Sequence, residues 1–365
     1  MSNIFDYIEW RGDLSVEKDE FNDVDALILS RLSYIPFDGI VSEMFSVPIT
    51  VREAAEKFLS LKDAEDRVLM PDDMKFIRLI KESPRFNSME LFGFINQLDF
   101  EAVKQFCALC IKISENTIFV SYRGTDNTLI GWKEDFYMSF SGLIPSQKTA
   151  VSYLEKAAEE RNECFIVGGH SKGGNLAVYA SAYVSPEIQN RIISVYNNDG
   201  PGFAENIIAS PGFKAILGRL NTYIPQSSIV GMMLEHEENY TIIHSTQTGM
   251  MQHDIYSWEV IGKEFIYLDK ITNTGIAIDR TLKEWVSDMD PAQMEKFVDV
   301  LFEILDKTNA KTLKELSEKW YNNAVVILKS WKGLDDSVRK LMMRTLLSFL
   351  KCAKHNVSLL IKRNR

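Results

Sequence analysis

The sequence predicts an α/β protein: a mostly parallel central sheet with helices on both faces, plus helical extensions at the N- and C-terminal ends. Three observations predict it. Between about residues 104 and 245, short strand-length apolar runs alternate with helical stretches. Most of those runs are apolar throughout, as strands covered on both faces are. Residues 1–100 and the end of the chain instead carry apolar positions at helical spacing.

In order, DVDALILSRLSYI (23–35) has helical spacing and an Asp start, and TVREAAEKFLSLKDA (50–64) opens with Thr50 and Glu53, a capping box. PDDMKFIRLIKES (71–83) is a third helix with a proline at its start. KQFCALCIKI and NTIFVSYRG are β-rich runs joined by Ser-Glu-Asn, which predicts a hairpin. A helix over 146–161 precedes the strand CFIVGG (164–169) and the small-residue helix 172–184. Strands follow at 191–199, 219–225 and 239–245. The amphipathic stretches 290–307, 312–331 and 335–357 are helices whose apolar faces pack on the core or on each other. The expected organisation is a helical region over 1–100, the α/β core over 101–285 and a helical extension over 286–365.

The chain has 365 residues, 45% hydrophobic and 25% charged, the composition of an ordinary globular protein. A net charge of −10 argues against nucleic acid as the main partner, because phosphate binding needs a basic surface. The basic end KCAKHNVSLLIKRNR leaves a membrane-surface role open as the lesser reading. Cys107 and Cys110 form a CxxC without a second pair, so buried strand thiols are expected rather than a redox or zinc site. No metal or organic cofactor is called for. The opening residues lack a basic-then-apolar leader, and no run reaches the roughly 18–20 apolar residues of a membrane span, so a cytoplasmic protein is expected.

The chemistry concentrates in FIVGGHSKGGNLAVYA, residues 165–180. Gly169-His170-Ser171-Lys172-Gly173 fits G-x-S-x-G between an apolar strand and a helix, which makes Ser171 a candidate nucleophile on a strained strand-to-helix corner. Side chains two residues to either side would collide with neighbouring chain, hence the glycines; Gly174 lets the helix approach the sheet. Upstream, a strand ends in Arg123-Gly124-Thr125-Asp126. Thr125 can offer a backbone N–H and a hydroxyl to an oxyanion, with the Lys172 N–H as second donor. Arg123 and Asp126 would alternatively form a structural ion pair. The Lys172 side chain is expected to reach solvent or an acidic neighbour.

FVSYRGTDN…GW…D, GGHSKGGNLA and QHDIYSW, in that order, resemble the class-three lipases of the α/β-hydrolase fold. GHSKGGNLA with DGPGF is more closely similar to a bacterial branch of that superfamily, of unknown function. The resemblance covers about residues 100–270. It implies Ser171 as nucleophile, Thr125 as oxyanion residue and His253 as base.

Chain order Ser…acid…His asks for a late histidine. His253 lies in a polar loop after the last core strand and is favoured over His244 and His236; His170 adjoins the serine and is expected to point away, and His355 sits in the terminal helix. In class-three lipases the acid follows the strand after next from the serine. The matching stretch here, NTYIPQSSIVG, has Ser227 and Ser228 instead. Asp199, one strand earlier in VYNNDGPGF, is the expected acid, because the carboxyl ends of neighbouring parallel strands converge on one crevice. Glu235 and Glu237 are the reserves.

The expected function is hydrolysis of small-molecule or lipid carboxylic esters through an acyl-serine. The alternatives are a catalytically idle α/β-hydrolase module used for binding or scaffolding, or a thioesterase or peptidase. Met232–Met233 and Met250–Met251 either line an adaptable acyl pocket or fill core gaps, and residues 200–218 could cap the site.

Overall fold

The computed structural model describes residues 2–141 and 143–363. The chain forms two compact units, each assembled from separate stretches. One comprises Met1–Gln97, Phe106–Gly124 and Ser146–Ile271; the other comprises Leu98–Gln105, Thr125–Pro145 and Thr272–Arg365.

The sheet is built from β1 (Ile49–Thr50), β2 (Glu90–Asp99), β3 (Lys104–Ser114), β4 (Thr117–Tyr122), β5 (Cys164–His170), β6 (Ile192–Asn198), β7 (Leu220–Pro225) and β8 (Tyr240–Ile243). A separate hairpin of β9 (Val260–Ile261) and β10 (Glu264–Phe265) precedes the last strand, β11 (Tyr267–Leu268). The nine strands of the main sheet follow the order β1-β2-β3-β4-β5-β6-β7-β8-β11. From β4 to β8 every pairing is parallel. β3 and β4 form the expected antiparallel hairpin, and β11 closes the far edge antiparallel to β8.

Successive strand residues point to opposite faces, and their partners show what covers each face. Ser121 Oγ donates to Leu29 O at 3.0 Å in the Asp23–Leu32 helix, whereas the next residue, Tyr122, donates to Ala150 O at 2.7 Å in the Pro145–Glu160 helix. In β6, Asn198 reaches Ser30 on the first of these faces, while Asn197 meets Gly174 of the Lys172–Tyr183 helix on the other. A mostly parallel sheet covered by helices on both faces, with a strand-to-helix corner at β5, is the α/β-hydrolase fold. Cys107 and Cys110 are buried in β3, and burial pushes the Cys110 thiol up to about 12, so it stays protonated beside the Tyr153 hydroxyl.

The N-terminal helices form where caps and spacing dictate. Thr50 and Glu53 make the reciprocal capping box, and Asn3 with Asp6 and Asn22 with Asp25 make two more. Their buried faces carry two ion pairs. Arg85 Nε donates to Asp25 Oδ1 at 2.7 Å, and Arg31 forks onto Asp73 with two bonds of 2.7 Å. All four side chains are buried, so removing one partner strands a charge at a cost of about 3–5 kcal/mol.

The second unit packs helices on helices. Leu129, Met294, Phe297, Val298, Phe302 and Met342 are buried together, contributed by Leu129–Ser141, Pro291–Asp306 and Asp336–Arg363. The expected single helix over 312–331 is two helices, Leu313–Glu318 and Trp320–Lys332, because Lys319 leaves helical geometry at φ −103°, ψ 31°.

Candidate active site

β5 runs straight into the Lys172–Tyr183 helix, and Ser171 is the joint. Its φ is +60° with ψ −136°, a region a residue with a β-carbon occupies only when its surroundings force it there. The glycines show what forces it. A β-carbon at Gly169 would sit 2.3 Å from the Gly173 backbone, and one at Gly173 would sit 2.1 Å from Tyr122 O. The Ser171 N–H donates to Asn198 O at 2.9 Å, fixing the corner to β6. Ser171 occupies the N-cap position, yet its hydroxyl makes no capping bond. A serine there ordinarily spends its oxygen on the helix.

β6 ends in Asn198, and the chain turns at Asp199, which has φ +53° and donates its N–H to Tyr223 O at 2.8 Å. Gly200 and Gly202 have no room for side chains: a β-carbon would meet Ser171 O at 2.5 Å and Glu235 O at 2.1 Å respectively. Asn175 of the elbow helix, fully buried, donates to Pro201 O and Gly202 O at 3.1 and 2.9 Å. The DGPGF segment is therefore tied to the corner that carries Ser171.

His253 closes a short 3-10 turn, Gly249–His253. Its Nδ1 lies 2.7 Å from Asp199 Oδ2. A carboxylate only accepts, so Nδ1 donates to it, and in the neutral ring Nε2 then presents a lone pair. Asp199 is fully buried, and among the described residues its Oδ1 has no hydrogen-bond partner. The neighbouring Gln252 braces the turn: its Oε1 accepts from Ser227 N–H at 2.7 Å and its backbone oxygen accepts from Trp258 Nε1 at 2.9 Å. Asn3 Nδ2 donates to Tyr256 O at 2.8 Å, Phe5 stacks on the Tyr256 ring at 4.8 Å, and the Tyr256 hydroxyl donates to Asp73 at 2.6 Å. The N-terminal helices thus clasp the segment that carries His253, a role no sequence motif announced.

His236, His244 and His253 each pair with a carboxylate, so pairing alone does not single out a base. His236 has both ring nitrogens engaged, with Glu238 at 2.9 Å and Gly231 O at 2.7 Å. His244 pairs with Glu259 at 2.7 Å beyond the end of β8. His253 differs in position: its ring centroid is 4.4 Å from that of His170, the residue adjoining Ser171. Glu235 and Glu237 are both exposed.

His170 is buried and neighbours His253. The Tyr34 hydroxyl donates to its backbone oxygen at 3.1 Å. Burial holds its imidazole well below the usual histidine range, with His253 and Arg31 acting in the same direction. The Lys172 side chain is buried, so it does not reach solvent. Gly124 lies against Ser171, and a β-carbon there would stand 2.9 Å from the serine Cβ. Thr125, assigned to the second unit, donates its hydroxyl to Asp135 at 2.7 Å, and Arg123 donates to Asn96 at 3.0 Å. Met250 and Met251 are largely exposed and fill no core gap. The Pro211–Ile216 helix packs at the far end of the elbow helix, where Gly212 abuts Ala182 O, so that half of residues 200–218 does not cap Ser171. Among the described residues no cluster of metal-ligating side chains occurs and no helix is long and apolar enough to cross a membrane.

A family model described as Mbeg1-like matches residues 80–303, more than half of the chain. The chain belongs to the Mbeg1-like family. No curated protein matches it. Among solved structures it is similar to the Rhizomucor miehei lipase propeptide complex, at 16% identity over 43% of this chain and 57% of that one, with a TM-score of 0.31. It is also similar to M37 lipase (16% identity, 57% and 69% covered, TM-score 0.36) and to lipase II from Rhizopus niveus (15%, 55% and 83%, 0.34). The chain thus spans a little over half the length of the Rhizomucor miehei protein.

Proposed function

We propose that the protein is a serine hydrolase of carboxylic esters, with Ser171 as nucleophile, His253 as general base and Asp199 as the acid that orients it. The observation that carries the reading is a strained serine whose hydroxyl is not spent on its helix, with a carboxylate-paired imidazole packed against the adjoining residue.

His253 Nε2 takes the Ser171 proton as Oγ attacks the ester carbonyl. The backbone N–H of Lys172, at the first turn of the elbow helix, holds the tetrahedral oxyanion and contributes about 3–4 kcal/mol. The leaving alkoxide takes the proton back from Nε2–H, and an acyl-serine remains. Water, deprotonated by the same nitrogen, releases the acid. Asp199 holds the proton on Nδ1 and stabilises the imidazolium that forms twice per turnover. The substrates are small-molecule or lipid esters.

The test is turnover of p-nitrophenyl esters of rising acyl length by the wild type and Ser171→Ala. Hydrolysis abolished by the substitution supports the reading, and the preferred acyl length defines the substrate class. A folded wild type that turns over none of the series ends the reading for esters.

A further inference from the structure

The last two helices are apolar on the wrong side for packing alone. In Asp336–Arg363 the inward face is occupied: Met342, Thr345, Cys352 and Asn356 are buried. Trp285 Nε1 donates to Thr345 O at 3.2 Å, and Asn356 donates to Glu284 at 2.7 Å. At 100° per residue, Met343, Leu346, Leu347 and Leu350 fall on a different face, at i, i+3, i+4 and i+7, and all four are exposed, Leu347 and Leu350 by 57% and 59%. Trp320–Lys332 repeats the pattern with Tyr321, Val325 and Leu328.

Charge shows what would cover these stripes. Residues 319–363 hold ten Lys or Arg and two Asp, a net of +8, in a chain whose net is −10; the other residues together carry −18. Exposed Lys340, Arg344 and Lys351 flank the apolar stripe of the longer helix. A second copy of this segment would bring a net +8 against +8. A nucleic acid would satisfy the charges and leave the leucines in water. An anionic lipid surface answers both at once, with phosphates for the basic flank and acyl chains for the stripe.

We propose that Trp320–Lys332 and Asp336–Arg363 form a docking surface for anionic membranes, lying in the headgroup layer without spanning it. The assignment is independent of the hydrolase reading, since it uses none of the same residues.

The experiment is co-sedimentation of the full chain with vesicles of phosphatidylcholine alone or with roughly one third phosphatidylglycerol, at low and high salt. The expected result is partitioning onto the anionic vesicles only, weakened at least tenfold by high salt. Leu347→Glu with Leu350→Glu, and separately Lys340→Glu with Lys351→Glu and Lys354→Glu, are each expected to reduce it tenfold or more. These side chains are exposed, and an unchanged melting curve shows that the variants fold. Partitioning that ignores lipid charge, survives the leucine pair or is absent in the wild type overturns the proposal. So does a dimer in solution that the leucine pair disperses, which would make the face self-associating.

Discussion

Replacing Asp199 by asparagine keeps the shape of the buried pair and removes its charge. The carboxylate touches His253 Nδ1 at 2.7 Å, which puts the charge centres of an aspartate–imidazolium pair about 4 Å apart. The His253 side chain keeps 27% of its surface exposed, so an effective dielectric near 20 applies, and the lost attraction is about 4 kcal/mol. That corresponds to roughly a thousandfold in rate. The amide adds a second effect. When its NH2 faces the ring it donates to Nδ1, the proton moves to Nε2, and Nε2 can no longer accept from Ser171. Together these give a fall in kcat/KM of about 10³–10⁴, in line with such replacements in serine triads. The assay is ester hydrolysis by the variant, with a thermal melt to show that it folds. Activity within about fivefold of the wild type, alongside an inactive Ser171→Ala, would refute Asp199 as the orienting acid.

Gly173→Ala places a methyl group 2.1 Å from Tyr122 O, a backbone atom that cannot swing aside; a loss of about 1–3 kcal/mol is expected in urea unfolding, together with loss of hydrolysis. Tyr256→Phe removes the 2.6 Å bond to Asp73 and is expected to cost about 1.5–3 kcal/mol, seen as a lower unfolding midpoint; an unchanged midpoint would show that the clasp contributes nothing. His170 has a folded value well below its unfolded one, so the unfolded chain binds the proton more readily. Stability from this group is therefore unaffected above about pH 6.5 and falls at up to about 1.4 kcal/mol per pH unit below it. His170→Phe should remove that part of the slope in urea titrations between pH 7 and 5, whereas parallel curves for the two proteins would contradict it.

Local signals were legible in the sequence. Thr50 with Glu53 predicted a cap because both partners lie within one helical turn, and the glycines around Ser171 predicted the corner because their constraint is steric and nearby. Asp199 is ambiguous in the chain alone, since any Asp before Gly-Pro-Gly reads equally as a turn; its contact with His253 joins residues 54 apart. The clasp on Tyr256 joins residues about 180 and 250 apart, which no periodicity records. β2 went unread because its first half is buried and its second half exposed, which breaks the alternation that marks a strand. Lys172 reads from its type as reaching solvent or an acidic neighbour; its place at the first turn of a helix buried along its length excludes solvent.

The most direct measurement is intact-protein and peptide mass spectrometry after treatment with a fluorophosphonate, which phosphonylates an activated serine with loss of fluoride. One adduct per chain is expected, on Ser171, formed slowly or not at all in His253→Ala. A folded protein that remains unmodified, or one labelled at another serine, would contradict it.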